Sequence, residues 1–88
     1  MVYSISYDLN KPGQDYSALY SAIKELGSWC HPLDSTWFVV TELGAADIRD
    51  RLAKVMDKSD GLIVVRALAP GAWNNLSDEV VRWLKDNL

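Results

Sequence analysis

The sequence predicts a small α+β domain: an antiparallel sheet with two helices on one face, followed by an extra C-terminal helix. Three observations lead to this prediction. Apolar and polar residues alternate at the start of the chain, helical spacing then occurs twice between β-rich stretches, and a capped helical pattern closes the chain. A length of 88 residues suits one hydrophobic core. We therefore expect one domain over 1–88, with a core over 1–69 and a helical extension over 70–88.

The first strand is indicated by strict alternation of apolar with polar residues, the pattern of a half-buried strand. The apolar set is Tyr3, Ile5 and Tyr7, and the polar set is Ser4, Ser6 and Asp8. Pro12 and Gly13 then interrupt regular structure, because proline lacks an N–H donor and glycine permits positive φ. Asp15 is placed to cap the helix that follows, and Gly27 to end it.

The middle of the chain predicts two strands and a second helix. A short strand is expected near 28–31 and a second near 35–41, with Pro32 and Asp34 between them. Both faces of the second strand are apolar, which predicts a central position or cover on both sides. Leu43 and Ile48 flank Gly44 at the spacing of a hydrophobic staple, marking the start of the second helix.

The last two elements are a short apolar strand, "LIVVRAL", and a helix that Ser77 caps. The predicted order is therefore β-α-β-β-α-β with one added helix. Two right-handed crossovers would place both crossover helices on the same face of the sheet. This order predicts the split βαβ, or ferredoxin-like, sandwich.

Charge and composition argue against several classes of protein. A net charge of −3 and a pI near 4.9 argue against a strongly basic nucleic-acid surface. Cys30, as the single cysteine, cannot form an internal disulfide. No signal peptide is recognisable, and no stretch reaches the roughly 18 apolar residues of a membrane span. We expect a cytoplasmic protein with no membrane partner.

Asp8 lies just past the end of the first strand, where an α/β layered fold would place an active-site carboxylate. One carboxylate binds Mg²⁺ poorly, but a two-fold dimer could bring two copies of Asp8 to one ion for phosphodiester chemistry. Alternatively, Asp8 and Asn10 bond their own backbone and shape the loop. Spacing alone favours this second, structural role.

The other chemically distinctive residues favour structural roles. Cys30 and His31 are neighbours on a predicted strand, so their side chains point to opposite faces and cannot act as a nucleophile–base pair. Four tryptophans are many for this length, and interleaved lysine and arginine are missing around them. We therefore expect core packing or a dimer interface rather than nucleobase stacking. No glycine-rich phosphate loop, nucleophile elbow or metal-spacing motif occurs.

The order of motifs over residues 3–68 resembles the small adaptation subunit of CRISPR systems and the related VapD toxins. The resemblance rests on "YD" closing the first strand (Tyr7 and Asp8), on "LGSW" after the first helix and on "DSTWFV" from Asp34 to Val39. A second helix, a turn containing Asp60 and the strand "LIVVRAL" follow in the same order. The same motifs resemble still more closely those of short bacterial and phage proteins of the SinR family, a Cas-like group of unknown role.

The resemblance implies a ferredoxin-like homodimer. It implies that Asp8 is the ligand of Mg²⁺ for cleavage of RNA or DNA, and that Ser35 is a nearby polar catalytic group. Two hypotheses about function follow. The Tyr7–Asp8 pair at the end of the first strand, which matches the family pattern, favours a dimeric, metal-dependent endonuclease of the toxin or adaptation type. The acidic balance, with Lys11 the one basic residue of the first loop, favours a non-catalytic dimeric interaction module.

Overall fold

A computed structural model describes residues 1–88 as a four-stranded antiparallel sheet with three helices, a small α+β domain. The sheet order is β2-β3-β1-β4. The elements are β1 (Val2–Asp8), α1 (Ser17–Lys24), β2 (Ser28–Leu33), β3 (Thr36–Val40), α2 (Ala45–Ala53), β4 (Gly61–Arg66) and α3 (Asp78–Asn87). None of the three helices has the length and apolarity that crossing a bilayer requires.

One face of the sheet carries the core. Side chains from β1 and β3 pack with the buried sides of α1 and α2 in a single cluster, so both helices cover the same face. The alternation in β1 therefore separates the two faces as its pattern predicts. The buried cluster consists of Tyr3, Ile5, Tyr7, Leu19, Ile23, Leu26, Trp37, Val39, Ile48 and Leu52.

The opposite face, which we call the open face, presents the intervening residues of the strands. Ser4 lies between Phe38 and Val65, and Ser6 lies between Thr36 and Ile63. Ile63 and Val65 are more than half exposed, at 62% and 52%. The C-terminal segment packs over part of this face and lines an open cleft of about 470 Å³. The open face is thus largely apolar and incompletely covered by the chain itself.

The strands differ from expectation mainly at their ends. β2 continues through Pro32 to Leu33, beyond the expected end at 31, with a register irregularity between Cys30 and Leu33. The extension is tolerated because β2 is an edge strand, where a missing N–H need not break a ladder. β3 is an inner strand between β2 and β1, which confirms the central position predicted from its two apolar faces.

The helix boundaries confirm two of the three predicted starts. Ser77 occupies the N-cap of α3 and its Oγ accepts a hydrogen bond from Val80 N at 3.3 Å. Gly44 is the N-cap of α2, as the staple predicts. Asp15, however, lies one residue before the N-cap of α1, and its carboxylate accepts from Ser17 N at 2.9 Å. The aspartate still satisfies a free N–H at the helix start, but from the preceding position.

Candidate functional site

Asp8 and Ser35, the two predicted site residues, lie at the same end of the sheet. β1 ends there at Asp8, β3 begins there after the turn that contains Ser35, and β4 begins there at Gly61, opposite Asp8. Tyr7 N donates to the Ser35 carbonyl oxygen at 3.1 Å, which fixes the turn against the end of β1. Antiparallel pairing of neighbouring strands therefore brings together two residues 27 positions apart in the chain.

The Asp8 side chain is exposed and belongs to the open face, in alternation with Ser4 and Ser6. Asn10 Nδ2 donates to the Asp8 carbonyl oxygen at 3.3 Å and, weakly, to Asp8 Oδ2 at 3.4 Å. This local bonding is the structural role expected of an aspartate and an asparagine in a loop. It uses little of the carboxylate's capacity, because an ionised carboxylate has about four acceptor sites. Asp8 can therefore serve the loop and still bind a ligand.

Within one chain, Asp8 belongs to no cluster of metal-binding side chains. No group of three or more His, Cys, Asp or Glu side chains is arranged to hold a metal. Mg²⁺ bound to Asp8 alone would keep most of its octahedral shell as water. A protein-coordinated ion at this position therefore needs a ligand from a second molecule or from the substrate.

Asp60 forms the best-satisfied polar site at the same end of the molecule. Its Oδ1 accepts from Asn10 N at 2.7 Å and from the Tyr16 hydroxyl at 2.9 Å, and its Oδ2 accepts from Asp57 N at 2.8 Å. Lys11 Nζ lies 3.3 Å from Asp57 Oδ1 and adds an ion pair between the same two loops. The network thus joins the loop after β1 to the loop before β4, and so positions the backbone that follows Asp8.

The charge of Asp60 is stabilised where it lies. Partial desolvation acts to raise its pKa, but hydrogen bonds from Asn10 N, Asp57 N and the Tyr16 hydroxyl outweigh it, so the pKa of Asp60 is below its ordinary value. The pKa of Asp57 is also lowered, chiefly by hydrogen bonds from Ser59. These carboxylates are committed to bonds within the chain, and we assign them a structural role.

The Asp60 network predicts a pH-dependent contribution to stability. Because the folded-state pKa of Asp60 lies below its unfolded value of 3.8, its contribution is present above that pH and is lost as the pH falls through the folded value. We expect Asp60→Asn to lower the free energy of unfolding at pH 7, and the difference from the wild type to shrink below about pH 4. Urea unfolding at pH 7 and pH 3 measures both values.

The control for this experiment is Glu42→Gln, which changes an exposed carboxylate that makes no side-chain hydrogen bond or ion pair. We expect little change in stability at either pH. An Asp60→Asn penalty that is as large at pH 3 as at pH 7 would show that the carboxylate's charge contributes nothing.

Cys30 and His31 lie on opposite faces of β2, as their adjacency predicts. Cys30 is buried, and desolvation raises the pKa of its thiol from 9.0 to about 11, so it remains protonated at neutral pH. The His31 ring stacks on Trp37, with centroids 3.8 Å apart and planes at 11°. The structure therefore gives neither residue the geometry of a nucleophile–base pair.

The four tryptophans occupy different environments. Trp37 is 2% exposed and lies in the core, as core packing predicts, with its Nε1 donating to the Tyr7 hydroxyl at 3.0 Å. Trp29 and Trp73 are 39% and 37% exposed. Trp83 on α3 donates from Nε1 to Ser28 Oγ at 3.0 Å, joining that helix to the start of β2.

A cleft between β2 and α3 was missed by sequence reasoning. It measures about 380 Å³ and is lined by Trp29, Cys30, His31, Glu79, Val80 and Trp83. Glu79 and Trp83 are four residues apart on α3 and therefore share one helix side, which the sequence does show. Nothing in the sequence places that side against β2, about fifty positions away, because the contact depends on where α3 docks.

Neither a protein-family model nor a curated protein matches the chain. Among solved structures, the chain is similar to the crystal structure of a hypothetical protein, TT1823, from Thermus thermophilus. The TM-score is 0.63 with 18% sequence identity, over 86% of this chain and 93% of that one. At this identity the similarity shows a shared fold alone.

Proposed function

We propose that the chain is a homodimeric, Mg²⁺-dependent endonuclease of ferredoxin-like fold that acts on RNA or DNA phosphodiesters. The observation that carries the proposal is the position of Asp8, an exposed carboxylate at the end of an inner strand with most of its acceptor capacity free. The strand order β2-β3-β1-β4, with α1 and α2 on one face, supports the ferredoxin-like assignment.

Each residue in the proposed site has a separate role. Asp8 from each of two copies binds one Mg²⁺, which would polarise the phosphodiester and activate water as nucleophile. Ser35 is a polar group at the same end of the sheet, able to hydrogen-bond a phosphate oxygen or a metal-bound water. Asn10 orients the carboxylate through its weak bond to Asp8 Oδ2.

The nuclease proposal predicts loss of cleavage in Asp8→Ala. Removing the one protein carboxylate that each chain supplies to the ion should lower Mg²⁺-dependent cleavage by at least about a hundredfold. Losing a residue that only holds a metal ligand in place can already lower activity by about that factor, and Asp8 would be the ligand itself. Labelled single-stranded RNA and duplex DNA, each with Mg²⁺ and with chelator, provide the substrates. Asp47→Ala, which removes an exposed aspartate of α2, is the control and should cleave as the wild type does.

Cleavage that persists in Asp8→Ala, or that resists chelation, would assign the activity to another site or to a contaminant. Ser35→Ala should cause a smaller loss than Asp8→Ala, because a hydroxyl contributes a hydrogen bond and no charge.

The open face supports the homodimer in this proposal. Ile63, Val65, Leu33 and Leu68 are all more than half exposed, a concentration of apolar surface that marks interaction sites in small proteins. Asp8 belongs to the same face, at its edge next to Ile63. A second copy covering this face would exclude water from the apolar residues and bring the two aspartates into one region.

We expect light scattering to give twice the chain mass for the wild type and a monomer for Ile63→Glu, because a charge buried in such an interface is costly. Ala46→Glu, which places the same charge on an exposed position of α2, should leave the dimer intact. A monomeric wild type at all concentrations would remove the two-carboxylate site.

A second candidate function is a non-catalytic dimeric interaction module with the same fold. The observation that favours it is that Asp8 belongs to no cluster of three or more metal-binding side chains, together with the net negative charge of the chain. In that case the wild type dimerises through the open face, and neither it nor Asp8→Ala cleaves any substrate.

A further inference from the structure

We propose that the outer edge of β4 binds an extended segment of another protein, which joins the sheet as an added antiparallel strand and places an acidic side chain opposite Arg66. Such a segment pairs with the sheet in its own plane, whereas the proposed dimer stacks on the open face. The edge site is therefore separate from Asp8 and from the proposed nuclease activity.

The backbone groups along the outer edge of β4 are free. β4 is the last strand of the sheet and pairs with β1 alone. Ala67 N donates to the Val2 carbonyl oxygen at 2.9 Å, so these two residues form a hydrogen-bonded pair of the antiparallel ladder. Because hydrogen-bonded pairs alternate along a ladder, the N–H and C=O groups of Leu62, Val64 and Arg66 point away from β1. No other group of the chain bonds them.

The two edges of the sheet differ in their protection against a further strand. β2 contains Pro32 and a register irregularity between Cys30 and Leu33. Trp83 of α3 is also hydrogen-bonded to Ser28 at the start of that strand. Proline, bulges and covering elements are common means of preventing a strand from adding to an edge. The six residues of β4, "GLIVVR", include no proline, lysine or acidic residue, and their pairing with β1 is regular.

The apolar residues of β4 suit cross-strand pairing. Ile63 and Val65, on the open-face side, are 62% and 52% exposed. Apolar residues at the neighbouring positions of an added strand would cover both side chains, and β-branched residues pair favourably across strands. The backbone bonds would supply affinity, and these side chains would select an apolar partner.

Arg66 adds a charge preference to this pairing. It aligns with Tyr3 of the buried cluster, so its side chain is on the helix-covered side of the sheet. Arg66 is exposed and forms no ion pair in the chain. An acidic residue directly opposite, on the added strand, would provide the missing opposite charge at cross-strand distance.

A second copy of β4 does not provide that acid. Two-fold antiparallel pairing of the free backbone groups would set Arg66 opposite Leu62 of the second copy, and β4 contains no acidic residue. The carboxylate of Asp60, just before the strand, is already committed to hydrogen bonds within its own chain. The charge preference therefore indicates a segment from a different protein.

Hydrogen exchange of the full chain, measured by NMR with the synthetic peptide Ser-Glu-Val-Thr-Val-Thr-Ser, tests the edge site. With its glutamate opposite Arg66, the peptide sets both valines on the open-face side. We expect saturating peptide to slow exchange of the Leu62, Val64 and Arg66 amides by at least about tenfold. The Ile63 and Val65 amides, which face β1, are protected with and without peptide and serve as internal controls. Unchanged exchange of the three outward amides at millimolar peptide would overturn the proposal.

Two N-methylated peptides form a matched pair that leaves the protein unaltered. In the proposed register, the N–H of the first threonine points to the Val64 carbonyl oxygen, and the N–H of the second valine points to solvent. Methylation of the threonine nitrogen should weaken binding by about tenfold, whereas methylation of the valine nitrogen should change it by less than about threefold. Equal losses for the two peptides would overturn strand addition at this edge.

A charge exchange tests the position of the acid. Arg66→Glu should weaken binding of the glutamate peptide by about threefold or more, because like charges directly opposite each other are destabilising. A peptide with lysine in place of glutamate should bind Arg66→Glu more tightly than it binds the wild type. Failure of the lysine peptide to do so would overturn the pairing of an acid with Arg66.

Two further measurements identify the occupant and the independence of the site. Protection of the Leu62, Val64 and Arg66 amides in the chain alone, rising with chain concentration, would assign the edge to a second copy and overturn the proposal. Asp8→Ala should bind the peptide as the wild type does, whether or not it cleaves nucleic acid. Loss of peptide binding in Asp8→Ala would overturn the separation of the two sites.

Discussion

Gly27→Ala is expected to lower the free energy of unfolding by about 2–5 kcal/mol, the sum of backbone strain and overpacking. Gly27 joins α1 to β2 and has a φ of +156°, which residues with a Cβ rarely adopt. A Cβ at this position would overlap the carbonyl oxygen of Val40, a backbone atom of the neighbouring strand β3. Because Val40 pairs with both Ser28 and Val2, the strand cannot move aside without losing ladder bonds.

Gly61→Ala is the matched control for this substitution. A Cβ at Gly61 would lie 3.6 Å from Asp8 Cβ, an ordinary contact distance. We expect the stability of Gly61→Ala to stay within about 1 kcal/mol of the wild type. Where the native backbone angles suit alanine, replacing glycine reduces the conformational entropy of the unfolded chain and so does not destabilise the fold. Urea unfolding measures both variants, and equal penalties for the two would contradict a specific clash at Gly27.

Trp37→Ala is expected to cost about 3–5 kcal/mol of stability, the range for deleting a large buried aromatic side chain. Trp37 is at the centre of an aromatic cluster that includes Tyr20, His31 and Trp29. Its Nε1 also donates to the Tyr7 hydroxyl, which in turn donates to the Asp34 carbonyl oxygen at 3.1 Å. The substitution would leave a large cavity and remove the donor to a buried hydroxyl.

Trp37→Phe leaves a smaller cavity than Trp37→Ala, since it retains one aromatic ring while removing the indole donor and the fused five-membered ring. We expect it to cost less than Trp37→Ala. Trp73→Ala is the control at an exposed position and should change stability by about 1 kcal/mol or less. If Trp73→Ala destabilised the chain as much as Trp37→Ala, burial in the core would not be what distinguishes these tryptophans.

Residues 1–8 show how much local pattern predicts. The alternation of Tyr3, Ile5 and Tyr7 with polar residues correctly assigned one face to the core and put Asp8 on the other. The N-cap of α3 at Ser77 was also predicted correctly, because a cap depends on neighbours within three residues. Both predictions needed only the geometry of one element.

Pro32 and Asp15 show where local pattern fell short. Proline was expected to end β2, yet the strand passes through it, because β2 is at the edge of the sheet and the missing N–H need not break a ladder. Asp15 was expected at the N-cap, and the helix begins one residue later. Strand order and the exact turn where a helix begins depend on contacts with other elements.

The candidate sites likewise combine features that local sequence predicts with features that only tertiary contacts create. The sequence by itself identified Asp8 as the carboxylate that ends the first alternating strand, and it put Ser35 at the start of the strand expected over 35–41. The structure places Ser35 in the turn just before β3, because the exact end of a strand depends on its pairing with the neighbouring strand. Only the tertiary structure brought Asp8 and Ser35 to one end of the sheet, bonded Asp60 to the loop that follows Asp8, and docked Trp83 of α3 on Ser28. Those proximities join residues far apart in the chain, and they arise from strand pairing and helix docking, which the spacing of residues within one element does not encode.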